Sequence, residues 1–183
     1  MLLCMETCEE LRYNFDVRRE QQVGVLGVEN MWIAVDRLTN WECVKEFSVG
    51  GLEWIGFSKE YFNKLLCISS QKCTLVDCKT GIIDECDCEY DELTHTALCS
   101  LLPNEVINIS GQYGGKITHS TQKNDKVRIE IFADNQTAIY FASDSQFETV
   151  IFENYGFYTC GFSYDGEYFV FAQDAGITLL RRV

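Results

Sequence analysis

The densest run of ionisable side chains is Asp84-Glu85-Cys86-Asp87-Cys88-Glu89-Tyr90-Asp91-Glu92, six carboxylates in nine positions. Carboxylates at that density can hold a cation, work as an acid–base pair, or present a charged docking surface. The run has no central glycine and none of the spaced oxygen ligands of a calcium loop. No distant acidic residue pairs with it for glycoside hydrolysis. Two readings remain. One is a solvated sheet edge whose charge blocks edge-to-edge aggregation. The other is a docking surface in which Asp84, Glu85, Asp87, Glu89, Asp91 and Glu92 steer a basic partner, with Tyr90 and Tyr113 as aromatic anchors.

Thiols are the next candidates. The ten cysteines include the spacings Cys4-x3-Cys8, Cys67-x5-Cys73, Cys73-x4-Cys78 and Cys86-x-Cys88. A zinc ribbon needs two close pairs, and no C-x2-C occurs. Some of Cys73, Cys78, Cys86 and Cys88 could share a zinc ion, but no metal site is expected and no cofactor either. In an alternating strand Cys86 and Cys88 point to one face and could be a core pair. His95 and His119 are the two histidines, and neither sits in a motif that pairs it with a nucleophile and an orienting acid. There is no G-x-S-x-G elbow. Gly111-Gln112-Tyr113-Gly114-Gly115-Lys116 lacks the spacing of a phosphate loop, and Ile117 follows the lysine. No catalytic residue is expected, and the chain is read as a non-enzyme.

Composition narrows the classes further. The net charge of −13 repels phosphate backbones and anionic membranes, which argues against nucleic-acid and membrane binding. It suits solubility or a cationic partner. With 46% apolar and 13% aromatic residues, 183 residues can bury a core, and a single domain over 1–183 is expected. No segment is long and apolar enough for a membrane span or signal peptide, so a cytoplasmic location and reduced, mostly structural cysteines are expected.

The elements that must position these residues read as strands. Leu11–Val17 alternates apolar and polar, Glu6–Glu10 could begin a short helix, and Val23–Val28 is a glycine-punctuated strand. Met31–Asp36 and Glu42–Phe47 read as a hairpin. Further strands are Leu52–Phe57, Leu65–Ser69, Cys73–Asp77, Ile82–Cys88, Val106–Ile109, Val127–Phe132, Ala138–Ala142, Phe147–Phe152, Tyr168–Ala172 and Ile177–Leu180. Gly111–Gly115 reads as a loose loop, and Asp91–Leu102 is the one helical candidate of any length. Short strands with polar turns and no crossover helices predict an all-β, mostly antiparallel fold. Either propeller-like hairpin repeats or a β-sandwich would satisfy the pattern, with at most one short helix.

An internal echo supports the repeat reading. Gly56-Phe57-Ser58 recurs as Gly161-Phe162-Ser163, and Asp134–Asp144 lines up with Asp165–Asp174. Phe162-Ser163-Tyr164-Asp165-Gly166-Glu167-Tyr168 resembles the inner-strand segment of WD-type β-propeller blades, clearly over about 20 residues and loosely over about 60. The Trp-Asp and Gly-His dipeptides of such blades are missing, and the length would make about four blades at most. In size, charge and expected compartment the chain is similar to the toxin-neutralising immunity proteins of bacterial competition systems, with no motif behind the likeness. That similarity implies a basic toxin domain as partner. The function expected is therefore a non-enzymatic module that docks a basic protein. The alternative is a structural or scaffold β-repeat module of a larger assembly. The oligomeric state is left open.

Overall fold

A computed structural model describes residues 33–174 and 176–183, all within one compact unit, Met31–Val183. The strands expected over Leu11–Val17 and Val23–Val28, and the helix start at Glu6–Glu10, lie outside the described residues. Within them the chain is all-β and antiparallel. Apart from one 3-10 turn at Val35–Arg37, its regular elements are sixteen strands.

The strands form four sheets, each named here by a central strand. The β15 sheet has the order β1-β16-β15-β14, from Trp41–Phe47, Gly176–Arg182, Tyr168–Gln173 and Phe157–Phe162. The β3 sheet contains β2 (Leu52–Phe57), β3 (Lys64–Ser69), β4 (Cys73–Asp77) and β5 (Ile83–Cys86). The short hairpin β9 (Ser110–Gly111) and β10 (Gly114–Gly115) extends it beyond β2. The β7 sheet is β6 (Cys88–Asp91), β7 (Thr96–Cys99) and β8 (Leu102–Asn108), and the β12 sheet is β11 (Lys126–Ile131), β12 (Thr137–Ser143) and β13 (Gln146–Asn154).

Side-chain alternation shows how they stack. On β15, Phe169 and Phe171 point into a core shared with Ile139, Phe141, Ile151 and Phe152 of the β12 sheet. Tyr168, Val170 and Ala172 point the other way, into a core shared with Ile55, Phe57, Leu65 and Cys67 of the β3 sheet. On β3 the alternate residues Leu66 and Ile68 then pack on Ala97, Cys99, Leu102 and Ile107 of the β7 sheet. The sheets thus lie face to face in the order β12, β15, β3, β7. The inner two are covered on both faces, which is why β15 and β3 read as unbroken apolar runs. The outer two keep one wet face, and β8 alternates buried and exposed accordingly. Trp41, Phe141, Phe162 and Phe169 form the aromatic centre, with ring centroids 5.0–6.3 Å apart.

The sequence echo is a structural one. In the β2–β3 and β14–β15 turns a buried serine N–H closes the loop, Ser58 onto Lys64 O (3.0 Å) and Ser163 onto Tyr168 O (2.9 Å). Each hydroxyl also donates to a carboxylate at 2.6 Å: Ser163 to its neighbour Asp165, Ser58 to Glu105 of β8. The glycine two residues earlier is where another segment crosses. A Cβ on Gly56 would sit 2.4 Å from Asn108 O, and one on Gly161 2.4 Å from Ile117 Cγ2. The β11–β12 turn shares a local feature with the β14–β15 turn: Asp134 accepts the Gln136 N–H at 3.1 Å, as Asp165 accepts that of Glu167 at 3.1 Å. Asn135 and Gly166 take matching left-handed φ values of 67° and 73°.

Several expectations are corrected. Residues 35–37 form a 3-10 turn, and β1 pairs with β16 instead of making a hairpin with the segment before it. Ile82–Cys88 is two strands in two sheets, broken at Asp87. Asp91–Leu102 is no helix. Its alternation Thr96-Ala97-Leu98-Cys99 makes it β7, buried at every second residue. Gly111–Gly115 is the β9–β10 hairpin, and β14 is an additional strand.

Candidate functional site

The acidic run occupies two neighbouring edges. β5 is the last strand of the β3 sheet and β6 the first of the β7 sheet, joined by Asp87 alone. That residue is pinned by its backbone: its N–H donates to Ser100 Oγ (3.1 Å) and its carbonyl accepts the Ser100 N–H (2.9 Å). Asp84, Glu85, Asp87, Glu89, Tyr90, Asp91 and Glu92 are all exposed. Edge strands leave a row of backbone N–H and C=O groups unpaired, and charges on them oppose sheet-to-sheet addition. The solvated-edge reading and the docking reading therefore describe one place.

Their partners differ. Glu85 is ion-paired with Lys72, both well exposed, so the pair contributes little to stability. Asp91 accepts the N–H groups of Leu93 (2.8 Å) and Thr94 (3.3 Å), and those backbone hydrogen bonds hold its carboxyl below the usual aspartate range. The Tyr90 hydroxyl donates to Glu53 Oε2 at 3.1 Å, and that bond raises its pKa. Tyr113 stands at the tip of the β9–β10 hairpin, 61% exposed, with its ring 5.9 Å from Trp54. Trp54 also meets His95, in the β6–β7 turn after Asp91, at 5.6 Å. Tyr113 thus reaches the acidic strands through Trp54 and His95.

Sequence reasoning missed the apolar half of this surface. Leu98 (47% exposed) and Val106 (55%) lie on the outward face of the β7 sheet, and Glu89 is the cross-strand partner of Leu98. With Glu89, Tyr90, Asp91 and Thr96 they line a shallow groove of about 290 Å³. Leu101, in the β7–β8 turn, is 49% exposed, and Leu93, in the β6–β7 turn, is 93% exposed. The only sequence signal was an apolar residue out of phase with the buried alternation of β7 and β8.

Two further expectations meet the geometry here. The cysteines are not all reduced: Cys73 of β4 and Cys88 of β6 are disulfide-bonded, with Cα atoms 6.1 Å apart, because the single-residue link at Asp87 brings those strands together. Cys78, placed in the possible zinc set, is instead buried in the core between the β3 and β15 sheets. Cys86 and Cys88 do pack against the same core, between the β3 and β7 sheets, although the strand breaks between them. Burial raises the pKa of Cys67, Cys78 and Cys160, the reverse of what a thiolate nucleophile needs. His95 adopts a left-handed φ of 52°, and its carbonyl accepts the Ile109 N–H at 2.9 Å, which gives it a role in the turn. Among the described residues no helix is long and apolar enough to cross a membrane. No family model, curated protein or solved structure matches this chain.

Proposed function

We propose that this chain is a non-enzymatic protein-binding module that docks a basic protein on the edge formed by β5 and β6 and the outward face of the β7 sheet. The observation that carries the reading is the juxtaposition of six exposed carboxylates, on two abutting edge strands, the link between them and the turn after them, with the uncovered side chains of Leu98 and Val106. Charge at the rim speeds encounter and selects sign, and a central apolar patch supplies the burial that holds the complex. A strongly basic toxin domain, such as a nuclease, fits that chemistry and the net charge of −13, and a cytoplasmic immunity role would follow.

The test is capture of the partner at low salt, elution at high salt, and repetition with Asp84, Glu85, Asp87 and Glu89 neutralised to amides. A stoichiometric basic protein, released by salt and lost with the amide variant, supports the reading. Capture that ignores both salt and the variant overturns it. The open β5 and β6 edges favour a second reading, a scaffold module that assembles through strand addition. Its mark would be a mass that rises with concentration and does not change in the amide variant.

A further inference from the structure

Four cysteines from four strands meet where the β3 and β7 sheets adjoin. Cys73 and Cys86 are direct cross-strand partners on β4 and β5, and Cys88 and Cys99 on β6 and β7. Direct partners carry their side chains on the same face of a sheet. All four pack against the one core between the two sheets. The two pairs are joined across the sheets by the Cys73–Cys88 bond. Cys73, Cys86 and Cys88 also line an open cleft with Lys72, Asp87 and Ser100, so the group is reached from solvent.

With the Cys73–Cys88 bond in place only two of the four remain as thiols, and no set of three metal-ligating side chains stands ready among the described residues. The geometry points to a zinc site that is opened by reduction: with the disulfide reduced, Cys73, Cys86, Cys88 and Cys99 form a four-thiolate cage for one Zn²⁺ ion. A small dithiol reductant supplies two electrons and two protons to the Cys73 and Cys88 sulfurs and leaves as its own disulfide. Zinc then displaces one proton from each of the four thiols and bonds four sulfurs. At a Zn–S distance of about 2.3 Å, two sulfurs of such a tetrahedron lie about 3.8 Å apart, a separation that the side chains of directly paired residues such as Cys73 and Cys86, or Cys88 and Cys99, can reach.

The charges around the cleft suit a dication. Glu85 and Asp87 attract zinc to the cleft, while Lys72 offsets part of the negative charge of the finished cluster. The ion would tie β4, β5, β6 and β7 together across the single-residue link at Asp87. This inference does not depend on the docking reading, since it concerns the sulfurs between the sheets and needs no partner.

The experiment uses the full chain, reduced with a phosphine under argon and desalted, then titrated with Zn²⁺ alone and read by native mass spectrometry and alkylation mapping. One zinc per chain is expected, with Cys73, Cys86, Cys88 and Cys99 protected from alkylation and the exposed Cys43 still reactive. Cys99→Ser should lose the stoichiometric ion, while Cys43→Ser should keep it. Cobalt in place of zinc should give the intense visible absorption of tetrahedral thiolate coordination. The inference is overturned if the reduced, folded chain retains no zinc, or if Cys99→Ser binds as well as Cys43→Ser. It is equally overturned if Cys86 and Cys99 close a second disulfide on removal of the reductant with zinc in excess. Protection mapping on the unsubstituted chain decides the matter even if the serine variant does not fold.

Discussion

The two outer sheets solve the same problem in opposite ways. Each buries one face on an inner sheet and leaves the other to water. The β12 sheet covers its wet face with a closed polar network. Arg128 bonds Glu148 at 3.0 and 2.9 Å and Glu130 at 3.1 Å, and its guanidinium lies 3.8 Å from the centroid of Tyr140, its cross-strand partner. The hydrophobic residues it exposes most, Ile131 and Phe147, sit near strand ends. The β7 sheet presents Leu98 opposite Glu89, with Val106 alongside, and no basic residue lies on its three strands. A surface already satisfied by its own charges has little left for a partner. One that leaves carboxylates and apolar side chains side by side has both terms that binding uses.

The sheets are also fastened differently, and this gives the largest expected effect. At the entry to β11, Asp125 is 1% exposed and ion-paired with Arg182 of β16, which in turn stacks 4.7 Å from the Trp41 ring. On β8, Glu105 is 4% exposed and accepts the Ser58 hydroxyl (2.6 Å) and the Lys59 N–H (2.5 Å) of the β2–β3 turn. Asp125→Ala strands a half-buried guanidinium, so a loss of about 3–5 kcal/mol is expected in urea unfolding. Glu105→Gln keeps a carbonyl acceptor for the Lys59 N–H and turns its NH2 to the Ser58 hydroxyl, which can accept, so it should cost only about 1–2 kcal/mol. Equal losses would mean that the two clamps are not different in kind.

Converting one wet face into the other comes next. Leu98→Arg places a guanidinium across from Glu89, imitating Arg128. It should weaken partner binding at least about tenfold while unfolding stability stays within about 0.5 kcal/mol, as for exposed positions generally. The reciprocal change, Arg128→Leu, should leave partner binding untouched. Neutralising Asp84, Glu85, Asp87 and Glu89 should act on rate instead. Association at low salt should slow by about tenfold or more and lose its salt dependence, with dissociation little changed. If dissociation moved instead, the carboxylates would be buried contacts and not a steering rim.

How much of this was legible in the sequence depends on how local the cause is. Unbroken apolar runs over 65–68 and 168–172 could be read as strands, and the structure adds that their sheets are covered on both faces. The repeated Phe-Ser turns were visible because glycine, phenylalanine and serine follow one another in both, whereas the carboxylate is local in one (Asp165) and distant in the other (Glu105). β14 was missed because Thr159, Cys160 and Gly161 are buried on both faces and show no alternation. The break at Asp87 was missed because a one-residue switch between sheets leaves no composition signal. Asp91–Leu102 resembled a helix only while its pairing with β6 and β8 was unknown. The acidic half of the candidate site was plain in the chain, whereas its apolar half and the Cys99 member of the cysteine group depend on cross-strand register, a long-range property.

The smallest expected effect separates the two sheets by the kind of donor that holds their carboxylates. Hydrogen bonds from Arg128 hold Glu148 below its ordinary value of 4.5. Backbone N–H groups do the same for Asp91, whose ordinary value is 3.8. A carboxyl whose folded pKa is depressed binds fewer protons folded than unfolded. Its stabilisation is complete above the unfolded value and drains away as pH falls through the folded one. Glu148→Gln should therefore flatten the acid limb of the stability curve below about pH 4.5, by no more than a few tenths of a kcal/mol for so exposed a pair. In about 1 M salt this difference should vanish, because the Debye length there is only about 3 Å. Asp91→Asn should flatten the limb further down, below about pH 4, and keep doing so in salt, since its donors are fixed backbone dipoles at contact distance. A Glu148 effect that survives salt would show that the Arg128 network is held by geometry as firmly as the Asp91 turn, and the contrast between a saturated sheet and an open one would then rest on the apolar side chains alone.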